Sequence, residues 1–155
     1  MTTSSDCPLC IEPGGALIWQ GEKLRVIQVD ESPYPGYCRI VWQEHVREMS
    51  DLSANDRALV WAVLDVVERA VRAMLKPDKM NLASLGNQVP HLHWHVIPRW
   101  RDDQHFPDPI WAAARRVAPA DSPEREANED WSERQSGSAA LAEFLRPLLQ
   151  SSFPW

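Results

Sequence analysis

The clearest periodicity in the chain runs from Val60 to Met74. Val60, Val63, Leu64, Val67, Val71 and Met74 recur at helical spacing, while Asp65, Glu68, Arg69 and Arg72 fill the opposite side. This pattern predicts one long amphipathic helix. Ser53-Ala-Asn-Asp56 marks its start, a capping-box spacing with Asp in place of Glu, and Pro77 ends it near Lys76. Upstream, Ala16 to Val29 holds two short β-prone stretches separated by Gly21-Glu22, which predicts a hairpin. The turn-rich run Asp30-Glu-Ser-Pro-Tyr-Pro-Gly36 leads into a third strand at Tyr37 to Trp42. Met80 to Leu85 and His91 to Arg99 read as two more strands around a connection holding Gly86, Asn87 and Pro90. Strands before and after a helix predict an α+β fold, with an antiparallel sheet of about five strands packed by the long helix and by shorter ones.

Beyond Trp100 the character changes. Asp121 to Ser138 carries six acids against Arg125 and Arg134 and reads as a solvated face or tail. Leu141, Phe144, Leu145 and Leu148 predict a final amphipathic helix over 139–149, its last turn disturbed by Pro147. The expected division is a principal domain over 1–115 and an acidic, amphipathic helical extension over 116–155 that packs on the same domain.

At 155 residues and 44% hydrophobic composition, the chain suffices for a single core. A net charge of −6 and a pI near 5.3 give no basic footprint for DNA, RNA or an anionic membrane, so a nucleotide partner is expected to be small. No run of about 18 apolar residues occurs, and MTTSSDCPLC is not a secretory start. A soluble, cytoplasmic protein is expected. Three cysteines do not form a disulfide framework. Cys7 and Cys10 make a Cys-x-x-Cys pair suited to metal or to redox exchange, and the surrounding Pro and Gly residues favour metal. Cys38, inside a strand, reads as a small buried hydrophobe.

The chemistry concentrates in His91-Leu92-His93-Trp94-His95. Strand alternation puts the three histidines on one face and Leu92, Trp94 and Val96 on the other. Imidazole serves as nucleophile, proton carrier or metal ligand near neutral pH, so this face is a reaction centre, a three-histidine metal site or merely a polar strand. His105, in Asp-Gln-His-Phe-Pro, is expected in a solvent-exposed loop.

Pro90-His-Leu-His-Trp-His-Val-Ile-Pro-Arg99 resembles the alternating His signature of the histidine-triad (HIT) superfamily. The resemblance extends over roughly Cys7 to Trp111, through the Asp30 turn, His45 and the capped helix, and it implies a HIT-like fold. It implies a nucleotide hydrolase acting at an α-phosphate of a dinucleoside polyphosphate or nucleoside phosphoramidate, with His93 attacking to form a nucleotidyl-histidine. The same resemblance gives His95 the phosphate or leaving group and His91 a supporting part. Asn81, Asn87 and Gln88 would hold phosphate oxygens, Asp30 the ribose hydroxyls, and Leu24, Val26 and Ile27 the base. A nucleotidyl transferase with the same intermediate, or a non-catalytic nucleotide-binding partner protein, are the alternatives. The resemblance further implies a structural zinc on Cys7, Cys10, His45 and His91, no organic cofactor, a purine nucleotide or dinucleotide substrate and a homodimer.

Overall fold

A computed structural model of the chain describes residues 4–29, 33–116 and 129–154. Strands β1 (Ala16–Gln20), β2 (Leu24–Gln28), β3 (Cys38–Trp42), β4 (Lys79–Ser84) and β5 (His93–Arg99) form one sheet. Its order is β1-β2-β3-β5-β4, with every neighbouring pair antiparallel. The expected α+β architecture is therefore present, and β5 lies between β3 and β4. Helix α1 (Pro8–Ile11) precedes the sheet, α2 (Ala54–Leu75) joins β3 to β4, and α3 (Glu129–Ser152) closes the described chain. None of the described helices is long and apolar enough to cross a membrane.

Alternation separates the two sheet faces. Leu24, Val26, Cys38, Ile40 and Val96 pack with Val60, Val63, Leu64, Val67 and Val71 of α2 and with Leu141, Leu145 and Leu149 of α3. Cys38 is fully buried in this core, and burial pushes its thiol up to about 12. Helix α2 starts where its cap predicts, with Ser53 Oγ accepting from the Asp56 amide. It ends at Lys76 in the left-handed conformation, just before Pro77. At its C-terminal end Gly36 packs closely: its φ is +79°, which favours glycine, and a Cβ there would lie 2.1 Å from Leu75 Cδ1 unless that side chain shifted.

The final helix departs from expectation in extent and phase. It runs from Glu129 rather than from 139, passes through Pro147 and reaches Ser152. Phe144 and Leu148 are exposed, whereas Trp131, Ser138, Leu141, Leu145 and Leu149 face inward. Packing of that stripe against α2 and β1 outweighs the hydrogen bond that Pro147 cannot donate. The inward Ser138 hydroxyl accepts from the Gly36 amide and from Gln28 Nε2, tying the helix to the sheet. Of the acidic stretch, 129–138 forms the first turns of α3, and 121–128 lies outside the described residues.

Candidate active site

On the opposite sheet face, Arg39 and His95 are direct cross-strand partners, as are Val41 and His93. Here the expected histidine face divides. His93 and His95 line a cleft of about 440 Å³ together with Arg39, Asn87, Gln88 and Trp111. His91 is not part of that lining. The ladder begins at His93, while the Leu92 amide donates to the Val46 carbonyl and the Trp42 amide to the Leu92 carbonyl. The chain thus approaches the strand along a different path, and the His91 ring turns towards the N-terminal turn.

Hydrogen bonds to carbonyls fix the tautomers, because a carbonyl only accepts. His93 Nδ1 lies 2.6 Å from the His91 carbonyl and carries the proton, which leaves the lone pair on Nε2. His91 Nε2 lies 2.6 Å from the Trp42 carbonyl, which leaves the His91 lone pair on Nδ1. His95 Nδ1 is hydrogen-bonded to the Tyr37 hydroxyl, whose oxygen also accepts from the Arg39 guanidinium at 3.4 Å. The His93 and His95 rings meet edge-on with centroids 4.8 Å apart, and Trp111 stands edge-on to His95 at 5.1 Å.

Burial depresses all three imidazoles. For His93 the Arg39 charge adds to the desolvation. For His95, desolvation, then His93, then Arg39 bring the ring down to about 3. Both cleft histidines are therefore neutral near pH 7, and the lone pair on His93 Nε2 is available.

His91 Nδ1 lies 3.5 Å from Cys7 Sγ and 3.4 Å from Cys10 Sγ, and His45 Nδ1 lies 3.4 Å from Cys10 Sγ. One turn of α1 places Cys7 and Cys10 on the same side, with the Cys10 amide donating to the Cys7 carbonyl. The donor atoms of Cys7, Cys10, His45 and His91 all lie within 4.8 Å of one another. Around a tetrahedral zinc, with Zn–S near 2.3 Å and Zn–N near 2.0–2.1 Å, neighbouring S and N atoms stand about 3.5 Å apart. The donor set fits that ion, and the Trp42 carbonyl fixes the His91 tautomer that such binding requires. Arg25 holds the turn in place through the carbonyls of Leu9, Glu12 and Pro13.

Several predicted residues lie elsewhere. Asn81 Oδ1 accepts from Arg99, one strand away from the cleft lining. Leu24 and Val26 belong to the main core, and Ile27 packs with Cys7, Leu9 and Val41. Asp30 is outside the described residues. His105 is buried rather than solvent-exposed, with Nδ1 hydrogen-bonded to the Tyr34 hydroxyl. Its loop folds inward because Asp103 pairs with the buried Arg99 and accepts from the amides of His105 and Phe106. Sequence reasoning did not select Arg39, Tyr37 or Trp111. Register alone carried a signal for Arg39, a charged residue in an otherwise apolar strand.

Comparison with known proteins agrees with this geometry. Residues 14–102, more than half of the chain, match the family model described as HIT domain. An AP-4-A phosphorylase of Mycobacterium tuberculosis is 28% identical over 109 residues, covering 66% of this chain and 55% of that protein. A bis(5'-adenosyl)-triphosphatase of Saccharomyces cerevisiae is 33% identical over 73 residues, covering 43% of this chain and 35% of that one. The chain thus spans about half the length, or less, of these curated relatives. Among solved structures, a histidine triad protein of Bradyrhizobium japonicum aligns with a TM-score of 0.62 and 26% identity, covering 82% of this chain and 92% of that one. On its triad, its sheet and the family match across residues 14–102, the chain belongs to the histidine-triad (HIT) family.

Proposed function

We propose that the chain cleaves adenine dinucleotides or related nucleotides at an α-phosphate through a covalent nucleotidyl-histidine on His93. The observation that carries this reading is the His93 ring itself. Its Nδ1 proton is committed to the His91 carbonyl, and its Nε2 lone pair belongs to a neutral imidazole in the cleft. Nε2 attacks the α-phosphorus, a P–N bond forms and the P–O bond to the leaving group breaks. With the Tyr37 hydroxyl donating to His95 Nδ1, His95 keeps its proton on Nε2 and gives a hydrogen bond to the departing oxygen. Water then attacks phosphorus, the P–N bond breaks and a nucleoside monophosphate is released. Asn87 and Gln88, exposed on the cleft loop, are the nearest predicted donors for the phosphate oxygens. Asp30 for the ribose completes the inferred contacts, whereas Ile27 packs against Cys7, Leu9 and Val41 and Asn81 is held by Arg99, both outside the cleft lining.

The Mycobacterium relative's name favours a second reading, transfer of the nucleotidyl group to inorganic phosphate. Rapid quench of the wild-type chain with diadenosine tetraphosphate in alkaline denaturant, which spares the acid-labile P–N bond, tests the intermediate: mass spectrometry should find the nucleotidyl group on His93. Product formation without any adduct in the wild type, together with undiminished turnover in His93→Ala, would refute it. Product analysis with and without phosphate separates hydrolysis from transfer.

Zinc on Cys7, Cys10, His45 and His91 belongs to the same reading, supported by the spacing of the four donors. All four positions being protein-filled, it would anchor the N-terminal turn and His91 without an open coordination site. A Cys-x-x-Cys pair kept out of a disulfide and available to zinc fits a reducing cytoplasm. We treat 116–155 as an extension of the 1–115 domain, and a homodimer as the assembly. The outer position of β4 in the sheet, with Leu82 and Leu85 exposed, supports a dimer. Light scattering showing a monomer at micromolar concentration would exclude one.

A further inference from the structure

Arg39 differs from the two buried arginines. Arg25 is committed to three carbonyls, and Arg99 to the Asp103 carboxylate. Arg39 is half-buried in the cleft and, among the described residues, its guanidinium meets the Tyr37 hydroxyl at 3.4 Å and the face of the Tyr37 ring at 5.4 Å. Among the described residues no carboxylate pairs with it, and the one acid in the cleft lining, Glu12, is exposed and forms no ion pair with it. A guanidinium is always charged and presents a planar fork matched to phosphate oxygens. Leaving such a group half-desolvated with no carboxylate beside it is unfavourable unless an anion completes it.

Position says which anion. Arg39 is the direct cross-strand partner of His95, and both touch the Tyr37 hydroxyl. If His95 faces the departing oxygen, as in the function proposed above and on which this inference rests, Arg39 stands on the leaving-group side. We propose that Arg39 binds the anionic leaving portion of a polyphosphate, and so makes the chain selective for nucleoside polyphosphates over phosphoramidates. When the P–O bond breaks, the electron pair goes to an oxygen of a nucleoside polyphosphate, and a fixed cation stabilises the added charge. When a P–N bond breaks and the nitrogen takes a proton from solvent water, the amine departs without negative charge, and the same cation gives no advantage.

The test uses the full chain with four probes: a methylene-bridged, non-cleavable diadenosine tetraphosphate and AMP for binding, diadenosine tetraphosphate and adenosine 5′-phosphoramidate for turnover. Arg39→Gln should weaken the bridged analogue about tenfold or more while moving AMP by no more than about twofold. It should lower kcat/KM for diadenosine tetraphosphate about 10- to 100-fold and for the phosphoramidate no more than about threefold. Arg39→Lys, which keeps the charge, should recover most of the polyphosphate binding. Arg39→Met, with the aliphatic stem retained, replaces the Gln variant if the latter does not fold. Equal losses on both substrate classes, or no loss on polyphosphates, overturn the proposal. A wild-type chain that binds the analogue through Arg39 yet cleaves neither substrate refutes the hydrolase reading alone. A wild type that cleaves both, with indifferent Arg39 variants, refutes this inference alone.

Discussion

The carbonyl of His91 accepts from His93 Nδ1 at 2.6 Å, while the ring of the same His91 points its Nδ1 at the sulfurs of Cys7 and Cys10. One residue therefore joins the Cys/His cluster to the cleft: its side chain belongs to the cluster, and its backbone sets the tautomer of His93. Disturbing the cluster should reach the cleft through this residue and through Pro8, Leu9 and Glu12 of the adjoining turn, which line the cleft.

Cys10 is the exposed member of the cluster, so its replacement leaves the core intact. Protein purified without a histidine tag should contain close to one equivalent of zinc, and Cys10→Ala should contain little. A wild-type content below about half an equivalent argues against the site. The variant should also melt at a lower temperature and turn over more slowly without becoming inactive, because His93 keeps its nitrogen.

Replacing His93 by Ala removes the attacking nitrogen and leaves Arg39, His95 and the cleft loop in place. Turnover should fall by about a thousandfold or more, while nucleotide affinity, read by calorimetry, changes only a few-fold. Retained turnover contradicts the assignment of the nucleophile.

The depressed His95 makes stability depend on pH. Folded, it takes up a proton only near pH 3, whereas an unfolded chain takes it up near 6.5. Between those values the unfolded state binds more protons, so stability falls as pH drops through the window, by up to about 1.4 kcal/mol per pH unit for this residue. Denaturant midpoints at pH 7 and pH 5 should show a smaller decline in His95→Asn than in wild type. Identical declines would mean that His95 is not the group responsible.

Gly36→Ala forces a side chain into a left-handed backbone position and against Leu75 Cδ1. A loss of about 1–3 kcal/mol is expected in equilibrium unfolding. An unchanged midpoint would show that the turn and the end of α2 separate easily.

Asp103→Ala removes both carboxylate oxygens from Arg99, which is 1% exposed, and leaves that charge unpaired. Destabilisation of about 3–5 kcal/mol is expected, with the Arg99→Met, Asp103→Ala double variant recovering part of it. Because the 101–116 segment carries Trp111 to the cleft, the tryptophan fluorescence response to bound nucleotide should also change in Asp103→Ala.

Local patterns in the sequence determined the hairpin, the capped helix α2, the strand alternation that points His93 and His95 one way, and the one-turn spacing that pairs Cys7 with Cys10. Periodicity and turn chemistry express themselves over a few residues, and those residues are adjacent in the chain. The phase of α3 was not legible, because a helix with apolar residues on several sides is oriented by its partner. Only the tertiary structure decided that β5 inserts between β3 and β4, and from that insertion the rest follows. It sets Arg39 opposite His95 and brings His91 to Cys7, 84 residues away. It also gives Asn81 to Arg99 and closes the His105 loop over the buried Arg99–Asp103 pair. Contacts of that separation depend on which strands become neighbours, and strand order is set by burial of the whole sheet rather than by any single segment.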